Sequence, residues 1–199
     1  MTTKVFVYGS MTEGMIHFGR IQSAIQHSQR AWAPGAPYKL KVGYPVLLSE
    51  GNCLIPGQLL ELRSPDFLRA LLDSFYGYST LEPQKSLHFR EQLLVTTESG
   101  EQEAAWVYYL NPKKLPANAV RIEAEEWEPV LQSPKFIDQL TERQITYIRK
   151  LGAITGREVV PVDLPLYREL MNLELIVDKG RRLALSKFGQ EVYRFLGER

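Results

Sequence analysis

Apolar and β-branched positions fall in short runs through the first 110 residues and recur with helical spacing through the last 60 or so. Val5-Phe6-Val7-Tyr8 is a continuous apolar run stopped by Gly9-Ser10, the pattern of a strand covered on both faces. Further β-type runs lie at 44–48, 54–62, 88–97 and 104–110, and Glu98-Ser99-Gly100-Glu101 joins the last two as a hairpin turn. Between them one helix is predicted. Ser64 caps it, Pro65 suits its first position, Asp66 complements the positive end of its dipole, and Phe67, Leu68, Leu71, Leu72 and Phe75 form one apolar face before Gly77 ends it. Many strands with few helices predict an α+β unit built on a small mixed, mostly antiparallel sheet closing into a barrel.

Pro112, Pro116, Pro129 and Pro134 then interrupt the pattern, and 123–128 carries four glutamates around Ala124 and Trp127. This stretch reads as a connector wrapping the first unit. From Thr141 the period becomes helical. Thr141-Glu142-Arg143-Gln144 has capping-box form, Ile145, Ile148 and Leu151 make a stripe, and a second helix is predicted from Asp163 or Pro165 to Leu173. Leu175-Ile176-Val177 and Leu183-Ala184-Leu185 flank a turn, and Ser186 caps a last helix carrying Phe188, Val192, Tyr193 and Leu196. The expected organisation is a barrel domain at 1–110, a connector at 111–140 and a small helical module at 141–199.

Of the 199 residues, 44% are apolar and 24% charged, which excludes disorder throughout. Lys and Arg number 24 against 23 Asp and Glu, a net charge of +1, so the surface as a whole is not built for nucleic acid or anionic lipid. The charge is uneven, with 11 basic and 8 acidic residues from Thr141 onward. Cys53 is the single cysteine and the three histidines are scattered, so no disulfide, metal site or cofactor is expected. Cys53 sits in an apolar strand and reads as an inert thiol. No run approaches the roughly 18 apolar residues of a membrane span. The first residues lead straight into a strand rather than a signal-peptide core, and a cytoplasmic location is expected.

The candidate chemistry starts at Gly9-Ser10. A strand ending in Gly-Ser can present successive backbone N–H groups to a carboxylate, because glycine permits a tight reversal. No Gly-Lys-Ser/Thr follows, and the glycine spacing is not that of a dinucleotide site.

Several segments, taken in order, carry a family resemblance: Val5-Phe-Val-Tyr-Gly-Ser-Met11, Val42-Gly43-Tyr44-Pro45, Ile55-Pro56-Gly57-Gln58-Leu59, Leu72-Asp73-Ser74-Phe75-Tyr76-Gly77, His88-Phe89-Arg90 and Ala105-Trp106-Val107-Tyr108. Over about 4–110 the chain resembles the γ-glutamylcyclotransferase-like family. The resemblance implies a small mixed barrel with a cavity, in which Tyr8, Gly9, Ser10, Met11, Arg90 and Tyr108 hold a small γ-glutamyl or other carboxylate-bearing ligand. In active members one glutamate takes a proton from the α-amine. That amine then attacks the γ-carbonyl of its own chain, releasing 5-oxoproline and an amine. The glutamate's position falls on Tyr76, a phenol with an ordinary pKa of about 10 and a poor base at neutral pH. His88 replaces the tyrosine of the family's Tyr-x-Arg. Two readings stay open: a binding protein that has lost the chemistry, or an enzyme whose base has moved to His88, Glu13 or Glu82. Asp73 reads as a helix-end hydrogen-bonding residue.

The module at 141–199 resembles a winged-helix domain in the string 175–189. That resemblance implies Lys179, Arg181 and Arg182 at a wing tip, able to meet nucleic-acid phosphates. The alternative is a docking or self-association module with a protein partner.

Overall fold

The computed structural model describes residues 3–154, 158–180 and 182–197. Two compact units form, one of residues 1–40 with 44–133 and one of 41–43 with 134–199. No helix among the described residues is long and apolar enough to cross a membrane.

The first unit is a closed barrel of five strands: β1 (Lys4–Val7), β2 (Ile25–Lys39), β3 (Pro45–Leu62), β4 (His88–Thr97) and β5 (Gln102–Leu110). They run in the order β3-β1-β5-β4-β2, and β2 pairs back onto β3 to close the ring. Only β1 and β5 are parallel, with Val5 opposite Trp106, and the remaining pairs are antiparallel. The expected mixed, mostly antiparallel barrel is therefore present. The short β6 (Val120–Arg121) adds to the outer edge of β2.

Because side chains alternate along a strand, β1 feeds two cores. Phe6 and Tyr8 join Ala31, Ala33, Leu47, Ile55, Leu59, Val95, Ala105, Val107 and Tyr109, residues from every barrel strand, so this cluster is the barrel interior. Val5 and Val7 face the other way, against Leu60, Leu62, Tyr108 and the elements that cover them, Met11, Ile21, Leu68, Leu72 and Tyr76. Trp127, at the start of α2 (Trp127–Gln132), is fully buried in the interior cluster.

Two local departures from the sequence expectation matter for the site. The runs at 44–48 and 54–62 belong to one strand. The β2–β3 register jumps from Gly35–Cys53 to Ala36–Leu48, and 49–52 bulges out of the ladder. The predicted helix before Gly77 is wound more loosely than an α-helix, as a π-helical stretch Leu68–Asp73, before tightening into one turn of α1 (Ser74–Tyr76). Gly77 ends it in the left-handed conformation at φ +60°, as glycine allows.

The second unit contains α3 (Glu142–Ala153), α4 (Leu164–Asn172), the hairpin of β7 (Ile176–Asp178) and β8 (Leu183–Leu185), and α5 (Lys187–Gly197). The capping box forms as the sequence predicts. Thr141 Oγ1 accepts the Gln144 N–H at 3.3 Å, and Gln144 Oε1 accepts the Thr141 N–H at 2.9 Å. Thr141→Ala removes the first of these. It is expected to lower the stability of this unit by about 1 kcal/mol in urea denaturation followed by far-UV circular dichroism. An unchanged midpoint would show that the cap contributes nothing.

Candidate functional site

The first barrel strand ends at Val7, and the chain turns at Gly9, whose φ of +61° suits a residue without a Cβ. The turn then folds back on itself. Met11 N–H donates to Tyr8 O, Thr12 donates to Gly9 O through both its N–H and its hydroxyl, and His17 N–H donates to Ser10 O. Ser10 is half-buried, whereas the Met11 side chain is fully buried in the outer core rather than turned to a ligand.

Beside the turn, side chains from the residue after β1, from β4 and β5, and from the π-helical stretch and α1 converge. Tyr8 Oη donates to the carbonyl of Tyr108 at 2.6 Å. Tyr108 Oη donates to Asp73 Oδ1 at 2.5 Å. Arg90 Nη1 donates to both oxygens of Asp73, at 2.9 and 2.8 Å, in an ion pair whose side chains are 12% and 9% exposed. The Arg90 guanidinium is sandwiched between the Tyr78 and Trp106 rings, 4.9 and 4.8 Å from their centroids. Its Nε is buried without a hydrogen-bond acceptor, so the carboxylate and the two rings hold it in place. The Tyr76 ring, 5% exposed, stacks on Tyr108 at 4.3 Å and 12° and meets His88 and Phe75 edge-on at 5.1 and 4.9 Å. His88 Nδ1 lies 2.8 Å from the Tyr76 carbonyl.

The electrostatics of this cluster hold two of its phenols protonated. Burial pushes the Tyr8 phenol well above its ordinary range, and the Tyr76 phenol adds to the shift. Burial, and then the bond to Asp73, does the same to Tyr108. Both phenols keep their protons at neutral pH. Asp73 supplies a carboxylate one turn before Tyr76, but Arg90 Nη1 and the Tyr108 hydroxyl already donate to it.

Of the residues singled out in the sequence, Tyr8, Tyr76, His88, Arg90 and Tyr108 thus gather in one place, and Gly9, Ser10 and Met11 form the adjoining turn. Glu13 lies apart. Its backbone N–H donates to Gln58 Oε1 at 2.8 Å, while its exposed side chain lines an open groove of about 360 Å³. Glu82 is exposed and paired with Lys85. The cavity implied inside the barrel is occupied by the chain's own side chains, with Phe6, Tyr8, Tyr109 and Trp127 each no more than 5% exposed. Sequence reasoning missed the centre of the cluster, Asp73. Its signal is a carboxylate directly after Leu72, on a helix whose remaining inward positions are apolar.

In the second unit Lys179 and Arg182 come together at the hairpin, where Lys179 N–H donates to Arg182 O at 2.9 Å. Both line a groove of about 320 Å³ with Gln190 and Tyr193. Arg181 lies outside the described residues. Among the described residues no group of three acidic, histidine or cysteine side chains is placed to hold a metal ion.

No curated protein matches the chain. Among solved structures, an AIG2-like protein from Mus musculus is 22% identical over 67% of this chain and 85% of its own, with a TM-score of 0.44. A solution structure from Arabidopsis thaliana is 19% identical over 81% of this chain and 96% of its own, with a TM-score of 0.49. YkqA from Bacillus subtilis is 18% identical over 67% of this chain and 44% of its own, with a TM-score of 0.47. The family model described as "Gamma-glutamyl cyclotransferase, AIG2-like" matches residues 5–129, from the first barrel strand to the helix that carries Trp127. By that match the chain belongs to the AIG2-like γ-glutamyl cyclotransferase family.

Proposed function

We propose that this chain is a family member that binds without turnover. Its ligand is a small γ-glutamyl or other carboxylate-bearing molecule, held at the turn of Gly9 and Ser10 where the barrel strand ends. Cyclisation to 5-oxoproline needs a base to take the proton from the α-amine as its nitrogen bonds to the γ-carbonyl carbon, and a proton for the departing amine as that carbon's bond to it breaks. The observation that carries the reading is Tyr76. A phenol stacked on Tyr108 stands where the motif order puts the family's glutamate. The nearby carboxylate of Asp73 is tied to Arg90. A ligand carboxylate would meet the backbone N–H groups of the turn, and Arg90 would act by holding Asp73 and Tyr108 rather than by reaching the ligand.

The test measures 5-oxoproline release from a panel of γ-glutamyl amides and γ-glutamyl amino acids, with folding checked by circular dichroism. Wild type is expected to release none above the blank, and Tyr76→Glu to raise release at least tenfold above that level. Turnover by wild type above the blank would overturn the proposal. So would the absence of any saturable shift of the Gly9 and Ser10 amide resonances with 5-oxoproline or γ-glutamyl ligands.

A further inference from the structure

The open groove beside Glu13 has a charge pattern that the turn site does not use. Arg30 from β2, Glu13 just past the turn and Glu128 from α2 all line it. Among the described residues none of these three is ion-paired, although opposite charges face the same space. The Arg30 guanidinium is held over the Trp32 ring at 5.2 Å rather than closed onto a carboxylate. Gln58, fixed by the Glu13 N–H, adds an amide to the wall, and Met15 and Leu131 give it an apolar part. At about 360 Å³ the groove falls within the roughly 300–1,000 Å³ of small-molecule sites.

A simple anion would be drawn to Arg30 but repelled by two carboxylates, and a simple cation would meet the reverse. A molecule carrying both charges satisfies all three groups, because each unpaired charge then gains a partner without bringing a like charge close. We propose that this groove binds a free α-amino acid with an apolar side chain. Its carboxylate pairs with Arg30, its ammonium lies between Glu13 and Glu128, and its side chain rests on Met15 and Leu131. The binding goes beyond the carboxylate site at the turn and requires no turnover. The three charges are solvent-exposed, so the binding is weak and falls as salt rises.

The experiment titrates the isotope-labelled full chain at low ionic strength with L-leucine, L-leucinamide and N-acetyl-L-leucine, following amide resonances. Leucine is expected to give saturable shifts at Glu13, Arg30 and Leu131. Leucinamide, which lacks the carboxylate, and N-acetyl-leucine, which lacks the ammonium, are each expected to bind at least tenfold more weakly. Arg30→Gln, and separately Glu13→Gln with Glu128→Gln, should weaken leucine at least tenfold. Equal binding of the three ligands, no saturable shift with leucine, or an affinity unmoved by the substitutions would overturn the proposal. The ligand series needs no variant. 5-Oxoproline, which has a carboxylate and no ammonium, reports separately through Gly9 and Ser10, so failure at one site is readable apart from failure at the other.

Discussion

Replacing Arg90 with methionine is expected to lower the unfolding free energy by about 3–5 kcal/mol, because it leaves Asp73 as a buried charge without its counter-ion. Both side chains of the pair are almost wholly out of solvent, so water cannot take over the role of the guanidinium. The loss extends along the cluster. Tyr108 Oη depends on Asp73, the Tyr108 ring carries Tyr76, and the Tyr108 carbonyl accepts the Tyr8 hydroxyl. Methionine retains much of the volume between Tyr78 and Trp106, which isolates the charge from the packing. Arg90→Lys should lie between wild type and Arg90→Met, since an ammonium keeps the charge but not the flat stack between the rings. Adding Asp73→Asn to Arg90→Met removes the stranded charge, leaves an acceptor for Tyr108, and should recover at least half of the loss. Urea denaturation of the set decides the matter. A single-variant loss below about 1 kcal/mol, or a double variant less stable than Arg90→Met, would show that the pair does not govern the cluster.

The second large effect concerns β3 where it runs beside the end of β1. A Cβ on Gly57 would lie 2.3 Å from the Val7 carbonyl oxygen and 2.5 Å from Phe6 Cζ. That oxygen cannot retreat, because β1 is paired on one side with β3 and on the other with β5. Phe6 is fully buried in the barrel interior. Gly57→Ala is therefore expected to cost about 3 kcal/mol or more, at or beyond the upper end of ordinary overpacking. Gly19→Ala is the matched control. No atom lies within 4 Å of the added methyl, and the backbone there is not left-handed. That change should be neutral or should stabilise by up to about 1 kcal/mol through the unfolded chain. Thermal unfolding of the two variants side by side checks the contrast, and equal midpoints would refute it.

How far these features were legible in the sequence depends on where their burial comes from. The runs that became β1, β4 and β5 carry large apolar side chains inward, and the Thr141 box and the Gly77 stop are local signals that need no tertiary partner. The strand β2 went unread. Its inward residues are Ala31, Ala33 and Gly35, its first half is exposed and polar, and Pro34 and Pro37 sit in its second half. Nothing in that stretch alternates visibly between apolar and polar, and its register is supplied by β3. Trp127 was one apolar residue among glutamates, yet it fills the barrel. At the site, motif order was enough to assemble Tyr8, Tyr76, His88, Arg90 and Tyr108. Asp73 carried a signal as a carboxylate among apolar inward positions, but its partner was not readable, because the pair exists only once a strand 17 residues later brings Arg90 against it.

The parallel pairing of β1 with β5 sets the order in which this chain can be made. Strands β2 and β3, and strands β4 and β5, are neighbours in sequence and can zip as hairpins while translation continues. Strand β1, although made before the other barrel strands, has one edge without a mate until Trp106 and Val107 have been synthesised. For about a hundred residues of elongation that edge is open to other chains, and a nascent-chain chaperone that shields β1 would matter most over that interval.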